Sequence, residues 1–218
     1  MPQNMLIVGV SGASAAGKTL LTTTIVNEIG SDQIAVISED SYYKDFSHLP
    51  LSVRTKVNFD HPNAFDHESL VKHLNALRNG EQVEVPIYNY DNEKEHMKKR
   101  ETRTVKPHKI LILEGILLFT DPDVRSLIDI KIYVDTPLDV CLIRRIRRDT
   151  RERSSVIEGV LEQYEKTVRP MFKEFIEPSK QHADLIIPNT NKNHIAIDLV
   201  KTKMQHILYD FHSVTQTK

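Results

Sequence analysis

An α/β fold, with a parallel sheet carrying helices on both faces, is what this chain predicts. Three observations lead there. Short, nearly continuous apolar runs alternate with amphipathic stretches along the whole length. The first run, Met5 to Val10, passes straight into a turn of small residues with two glycines and then into a helix-period pattern. The length, 218 residues, suits one large domain over 1–218 with a small inserted element.

Met5 to Val10 (MLIVGV) has the length and Val/Ile content of a buried strand. Lys18 to Ile29 places Leu21, Ile25 and Ile29 on one helical face, and Gly30 follows as a C-cap. Ile34 to Ile37 is a second buried strand that ends at Ser38-Glu39-Asp40. Ser41 to Asp66 is polar and aromatic, the profile of a binding loop or lid. His67 to Arg78 is amphipathic and stops at Asn79-Gly80. Val83 to Tyr90 and Thr102 to Val105 alternate around a charged tip, Asp91 to Arg100, which predicts a β-hairpin over about 82–106. Ile110 to Leu113 and Lys131 to Val134 are further buried strands. Pro137 is placed to open a helix running to about Asp149. Ser155 to Val168 and Met171 to Ile176 read as two helices, and Leu185 to Ile187 as a last short strand. Ile195 to Phe211 is a closing amphipathic helix, and His212 to Lys218 reads as a frayed tail.

Composition excludes several classes. Hydrophobic residues make up 39% and charged residues 27%, so the chain is not a disordered one. The net charge of −1 disfavours binding to nucleic acid through bulk charge. Cys141 is the only cysteine, which rules out an intramolecular disulfide framework and fits a cytoplasmic setting. The longest apolar run, Ile110 to Phe119, is broken by Glu114 and Gly115, so no membrane span and no secretory leader are expected.

In a parallel sheet the ligand sits at the carboxyl ends of the strands. After Val10 comes Gly12-Ala13-Ser14-Ala15-Ala16-Gly17-Lys18-Thr19, which fits G-x-x-x-x-G-K-[ST] between a strand and a helix. The glycines let backbone N–H groups turn inward, and the helix N-terminus adds partial positive charge for phosphates. Lys18 is placed for the β- and γ-phosphates and the Thr19 hydroxyl for Mg²⁺. Two other strands end in acids, Asp40 and Glu114, the usual way such a loop is supplied with a Mg²⁺ partner; singly, each could be a solvated strand end.

Arg144, Arg145, Arg147, Arg148, Arg151 and Arg153 crowd a stretch that also holds Asp149 and Glu152. Such a run is a solvated helix face, an RNA patch, or a lid over about 144–163 that brings arginine to a transferring phosphate. Tyr42, Tyr43, Phe59, Tyr88 and Tyr90 are either packing for a small subdomain or a stacking surface for a nucleobase.

These residues carry a resemblance. The chain resembles the uridine kinase (uridine–cytidine kinase) family of the bacterial type over nearly its whole length. The matching stretches are GASAAGKT at Gly12–Thr19, SEDSYYKD at Ser38–Asp45, NFDHPNAFD at Asn58–Asp66, PIYNY at Pro86–Tyr90, LEGIL at Leu113–Leu117, VDTPLDVCLIRRIRRD at Val134–Asp149 and QYEKTVRPMFKEFIEPSK at Gln163–Lys180. The resemblance implies a P-loop kinase that phosphorylates the 5′-hydroxyl of uridine and cytidine, with Mg²⁺, with ATP or GTP as donor, and as a homotetramer. It places Asp40 as the catalytic acid near Tyr43, Asp60 as a nucleoside-binding residue, and Tyr88 and Tyr90 beside the base. It also places Arg145 and Gln163 on the substrate, Arg148 and Arg153 on the lid, and the hairpin as a nucleoside-binding flap.

The chain departs from that pattern in three places. The lid motif E-R-G-R is here Glu152-Arg153-Ser154-Ser155, and P-R-G is Pro188-Asn189-Thr190. The base-contacting His does not follow Tyr90 at the family's spacing, where Glu93 stands; counted back from Glu101, it falls on His96, as if Asp91–Glu95 held an insertion. A phosphoribulokinase-like or pantothenate kinase-like enzyme would share the loop and the acids but not the F-D-H-P and tyrosine elements. A GTPase switch would need a D-x-x-G element, and no Gly here has Asp at that spacing.

Overall fold

A strand whose successive residues are all apolar needs cover on both faces, because its side chains alternate between them. A computed structural model, describing residues 5–30, 33–54, 56–88, 101–153, 155–188 and 194–215, shows that cover. The strands are β1 (Leu6–Gly12), β2 (Ile34–Ser38), β3 (Val83–Pro86), β4 (Thr102–Val105), β5 (Ile110–Glu114), β6 (Ile130–Asp135) and β7 (Leu185–Pro188). Five of them form one parallel sheet in the order β2-β5-β1-β6-β7. In β5, Ile110, Leu111, Ile112 and Leu113 are all fully buried, so both faces are packed. Burial of each such side chain stabilises the fold by about 1.5–3 kcal/mol before entropy is counted.

The helices are α1 (Lys18–Ile29), the single turn α2 (Leu51–Arg54), α3 (His67–Arg78), the short α4 (Pro122–Ser126), α5 (Leu138–Glu152) and α6 (Ile157–Gln163). Helical backbone then continues through α7 (Arg169–Met171) and α8 (Glu177–Ser179), and α9 (His194–Thr215) closes the chain. Sequence and structure agree on β1, α1, β2, α3, β5, β6 and β7 to within a residue or two. Gly30 ends α1 as expected, at φ 112° with its N–H on the Val26 carbonyl.

Several expectations are corrected. Pro137 is the residue that caps α5, with ψ 139°, and not its first helical position. Its extended ψ turns the chain from the sheet edge before Leu138 begins the helix. The two helices expected over 155–168 and 171–176 are one continuous run. Pro170 and Pro178 each follow a π-helical turn, Tyr164–Val168 and Phe172–Ile176. The Arg169 N–H reaches the Tyr164 carbonyl and the Glu177 N–H the Phe172 carbonyl. The wider turn absorbs a proline that would otherwise clash with the preceding turn and break the helix. The tail expected to fray from His212 is helical to Thr215. The loop after β2 holds short 3₁₀ turns, Glu39–Tyr42 and Pro62–Ala64, as well as α2. No element was expected at α4, which Asp121 caps by accepting from the N–H groups of Asp123 and Val124.

β3 and β4 pair antiparallel as a separate ribbon, with Val83 opposite Val105 and Pro86 opposite Thr102. The ribbon is shorter than the alternation suggested: β3 stops at Pro86, so Tyr88 lies beyond it. Arg103 on β4 donates to the Val36 carbonyl of β2 at 2.5 Å and ties the ribbon to the open edge of the main sheet.

At the end of β1, Gly12 has φ 145°, and a Cβ there would lie 2.5 Å from the Val134 carbonyl oxygen of β6. The neighbour is strand backbone and cannot step aside. Gly12→Ala is expected to destabilise the protein by about 2 kcal/mol or more, from backbone strain plus the clash. A urea titration checks this, and an unchanged midpoint would show that β1 and β6 can separate there.

Candidate active site

The loop between β1 and α1 curls because Gly12, Ala15 and Gly17 all take positive φ, of 145°, 63° and 101°. The Ala16 N–H closes the turn on the Ala13 carbonyl at 3.1 Å. Lys18 folds back across it, its Nζ donating to the carbonyls of Gly12 (3.0 Å) and Ala13 (2.8 Å). Burial pushes its pKa down, against the opposing pull of Asp40 and Glu114. A cleft of about 310 Å³ opens over this loop. Ser14, Ala15, Gly17, Lys18 and Thr19 line one side; Ser38, Asp40, Glu114, Gly115, Ile116, Arg144 and Arg148 complete it. Of the residues singled out in the sequence, Ser14, Ala15, Gly17, Lys18, Thr19, Asp40 and Glu114 line this one cleft, and Lys18 ties Gly12 and Ala13 to it.

Thr19 Oγ1 donates to Glu114 Oε1 at 3.1 Å, while Glu114 Oε2 is buried with no hydrogen-bond partner. A buried carboxylate oxygen without a donor is costly unless a cation or a proton meets it. That orphaned oxygen beside a hydroxyl fits a Mg²⁺ ion. Among the described residues no three His, Cys, Asp or Glu side chains gather to hold a metal by themselves. An ion here would complete its shell with phosphate oxygens and water, as Mg²⁺ usually does.

Asp40 sits in the 3₁₀ turn after β2, its N–H on Ser38 Oγ. Burial first, and then the charge of Glu39, push its pKa up to about 6, against Lys18 and Arg153. Sequence reasoning passed over Glu39, which is fully buried. It accepts from the Leu117 N–H (2.9 Å) and meets His67 Nε2 (2.9 Å); His67 Nδ1 in turn meets Asp121 at 3.1 Å. Gly115 makes room for this group: a Cβ there would lie 2.2 Å from Glu39 Oε2. The Glu39-Asp40 pair and the Gly after Glu114 were the available signals; the role of His67 had none.

Tyr43 is packed among Phe65 (ring centroids 4.3 Å apart), Tyr88 (5.0 Å) and Phe59 (5.3 Å). Asp60 is only 6% exposed beside this cluster. Burial raises its pKa, while Arg145, Lys18, Arg148 and a hydrogen bond from Thr167 pull it down. Arg145 bridges two elements, donating to Ser14 Oγ of the loop (2.9 Å) and to Gln163 Oε1 of α6 (3.0 Å). Tyr90, His96, Glu93, Ser154, Asn189 and Thr190 lie outside the described residues. Asp149, which carried no role in the sequence, is buried among Arg145, Arg148 and Arg153.

A parallel sheet, a phosphate-wrapping loop at its carboxyl edge and an acid beside the loop's Thr define a P-loop nucleotide-binding protein of the kinase type. The chain belongs to the phosphoribulokinase/uridine kinase family, whose description matches residues 7–196. It is 52% identical over 210 residues to a uridine kinase of Shewanella amazonensis, covering 94% of this chain and 98% of that protein. It is 54% identical over 207 residues to a uridine kinase of Aliivibrio fischeri, covering 93% and 95%. Among solved structures, phosphoribulokinase from Rhodobacter spheroides shares the fold, with TM-score 0.62 at 15% identity over 85% of this chain and 70% of that one.

The His67 relay has a pH signature. Burial alone would lower the imidazole pKa, but hydrogen bonds and charge from Glu39 and Asp121 outweigh it and raise the value above 6.5. The folded state then holds a proton that the unfolded chain releases at 6.5. That stability is fully present below pH 6.5 and is lost as pH rises through the folded value. Asp40 acts in a lower window, between 3.8 and about 6, so the two are separable. The melting temperature is expected to fall above pH 6.5 in the wild type and to be flatter in His67→Gln. Identical pH profiles for the two proteins would remove His67 from that role.

Proposed function

We propose that this chain transfers the γ-phosphoryl group of ATP to the 5′-hydroxyl of uridine and cytidine. The observation that carries this reading is that Asp40, in the cleft over the phosphate loop, and the buried Asp60 both act electrostatically on Tyr43, which packs on Tyr88. The identity of 52–54% with uridine kinases over nearly the whole length supports the same substrate class. A sugar-phosphate or pantothenate substrate has no use for the aromatic cluster and is not favoured.

Phosphoryl transfer passes through a loose transition state, so positioning and charge do most of the work. Asp60 and the tyrosines hold the nucleoside, with Arg145 and Gln163 on the same side. Asp40 orients the 5′-hydroxyl and accepts its proton; with a pKa of about 6 it is largely ionised at neutral pH, yet a better acceptor than an ordinary Asp. Lys18, Arg148 and Arg153 oppose charge on the phosphoryl oxygens. Thr19 and Glu114, with Asp40 in the same cleft, would hold Mg²⁺, which would add charge neutralisation on the phosphates. We take the chain as one kinase domain over 1–218, with the ribbon as a nucleoside flap and 144–163 as the lid. GTP as an alternative donor, a homotetrameric assembly and a cytoplasmic setting come with the family resemblance; no nucleic-acid or membrane partner is part of this reading. Among the described residues no helix is long and apolar enough to cross a membrane.

The reading is tested by coupled ADP release with a panel of nucleosides and sugar phosphates. Uridine and cytidine are expected to be turned over and ribulose 5-phosphate is not; the reverse result would reject the proposal. Asp40→Asn is expected to lower kcat by about a hundredfold or more while uridine still binds, the size of a lost general base. Near-normal kcat would remove Asp40 from the reaction. For the base, His96→Ala is expected to raise KM for both nucleosides about tenfold, since an imidazole can donate to cytosine or accept from uracil. A silent His96→Ala with a sensitive Glu93→Ala would hand the role to Glu93.

A further inference from the structure

On α5 the buried positions are Cys141, Arg145 and Asp149, one every four residues along a single face. The face begins apolar and ends on a carboxylate. Asp149 is 3% exposed, and an acid is rarely buried so deeply unless it is paired. Here it is paired three times over. Arg148 Nε donates to Oδ1 at 2.8 Å, Arg153 Nη1 lies 3.5 Å from the same oxygen, and Arg145 Nε lies 3.4 Å from Oδ2. The Asp149 carbonyl also takes the Ser155 N–H at 3.0 Å, which turns the chain out of α5.

The three guanidiniums act on different groups at the site. Arg148 lines it, the charge of Arg153 acts on Asp40, and those of Arg145 and Arg148 act on Asp60. Arg148 meets Asp149 side-on through Nε. That docking leaves its paired Nη groups, the fork that matches two phosphate oxygens, without a hydrogen bond to any described residue. Three like charges drawn to one point would otherwise repel one another and spread along the helix surface.

We propose that Asp149 is the positioning residue of the lid: one buried carboxylate that turns the Arg148 fork toward the transferring phosphate and holds Arg145 and Arg153 in register with it. The proposal rests on the phosphoryl-transfer reading above. Asp149 touches neither substrate; it acts through arginine. Its loss should therefore appear in kcat rather than in ground-state binding.

The test is a double-mutant cycle on the full chain with ATP and uridine, alongside calorimetric binding of ADP. Asp149→Asn is expected to lower kcat by about tenfold or more, with KM for uridine and Kd for ADP within about threefold of wild type. In an Arg148→Gln background, Asp149→Asn should cost no more than about twofold further, because the group it aims is already gone. A third variant, Arg148→Lys, keeps the charge but has no Nε to dock. It is expected to lose kcat about as severely as Arg148→Gln, and it decides the matter if Asp149→Asn does not fold. A kcat within twofold of wild type for Asp149→Asn, additive losses in the cycle, or an active Arg148→Lys would each overturn the proposal. A wild-type chain that turns over no nucleoside would instead overturn the reading beneath it, while ADP binding would still report on the loop.

Discussion

In the ladder of β2, β5, β1 and β6, Ser38 lies opposite Glu114, Glu114 opposite Val10, and Gly12 opposite Val134. This backbone register sets where the chemistry can occur. Parallel strands all finish at one edge of the sheet, so residues far apart in sequence arrive side by side there. Asp40, Glu114 and the phosphate loop meet because β2 and β5 end opposite each other at Ser38 and Glu114, and β1 ends two residues further on at Gly12. The ladder also explains Gly12: β1 and β6 stay paired up to Val134, which leaves no space for a side chain at the point where the loop must leave.

Charge at that edge is kept apart by buried partners. The described part of the cleft brings Lys18, Arg144 and Arg148 together with Asp40 and Glu114. Behind each working side chain stands a group that touches no cleft. Glu39, fixed by the Leu117 N–H and His67, raises the proton affinity of Asp40. Asp149 does the corresponding work for the arginines. Both are acids buried away from solvent, and both are tolerable only because donors surround them. The fold thus supplies two hidden carboxylates: one raises the pKa of Asp40, the other gathers the arginines of α5.

The aromatic cluster around Tyr43 is built differently. Its rings pack on one another, with Tyr43 and Phe65 also joined by a backbone bridge. Tyr43 is therefore part of the core, as the packing reading of the aromatic loop has it. Asp60 lies beside these rings, where burial raises its pKa and the charges of Arg145, Lys18 and Arg148 lower it.

Much of this was legible in the chain itself. Apolar runs of strand length mark β1, β2, β5 and β6, because a two-faced buried strand has no polar alternative. Gly12 to Thr19 announce the phosphate loop, because glycine turns that way most easily and the Lys-Thr pair at that spacing supplies the ligands. What the chain alone did not reveal depends on which helix face turns inward. Asp149 sits in a run of arginines that could be a solvated face, an RNA patch or a lid, and none of these readings gave it a part; its burial follows from a spacing of four from Arg145 and Cys141 that matters only once α5 is docked. His67 reads as the first residue of an amphipathic helix; that it joins Glu39 to Asp121 depends on three segments meeting. Pro170 and Pro178 read as helix ends, and only the packed backbone could choose the π turns that carry the helix past them. Local pattern determines strands, loops and caps through short-range sterics and hydrogen bonding. Which charges become partners is settled by long-range packing, and no window along the sequence contains it.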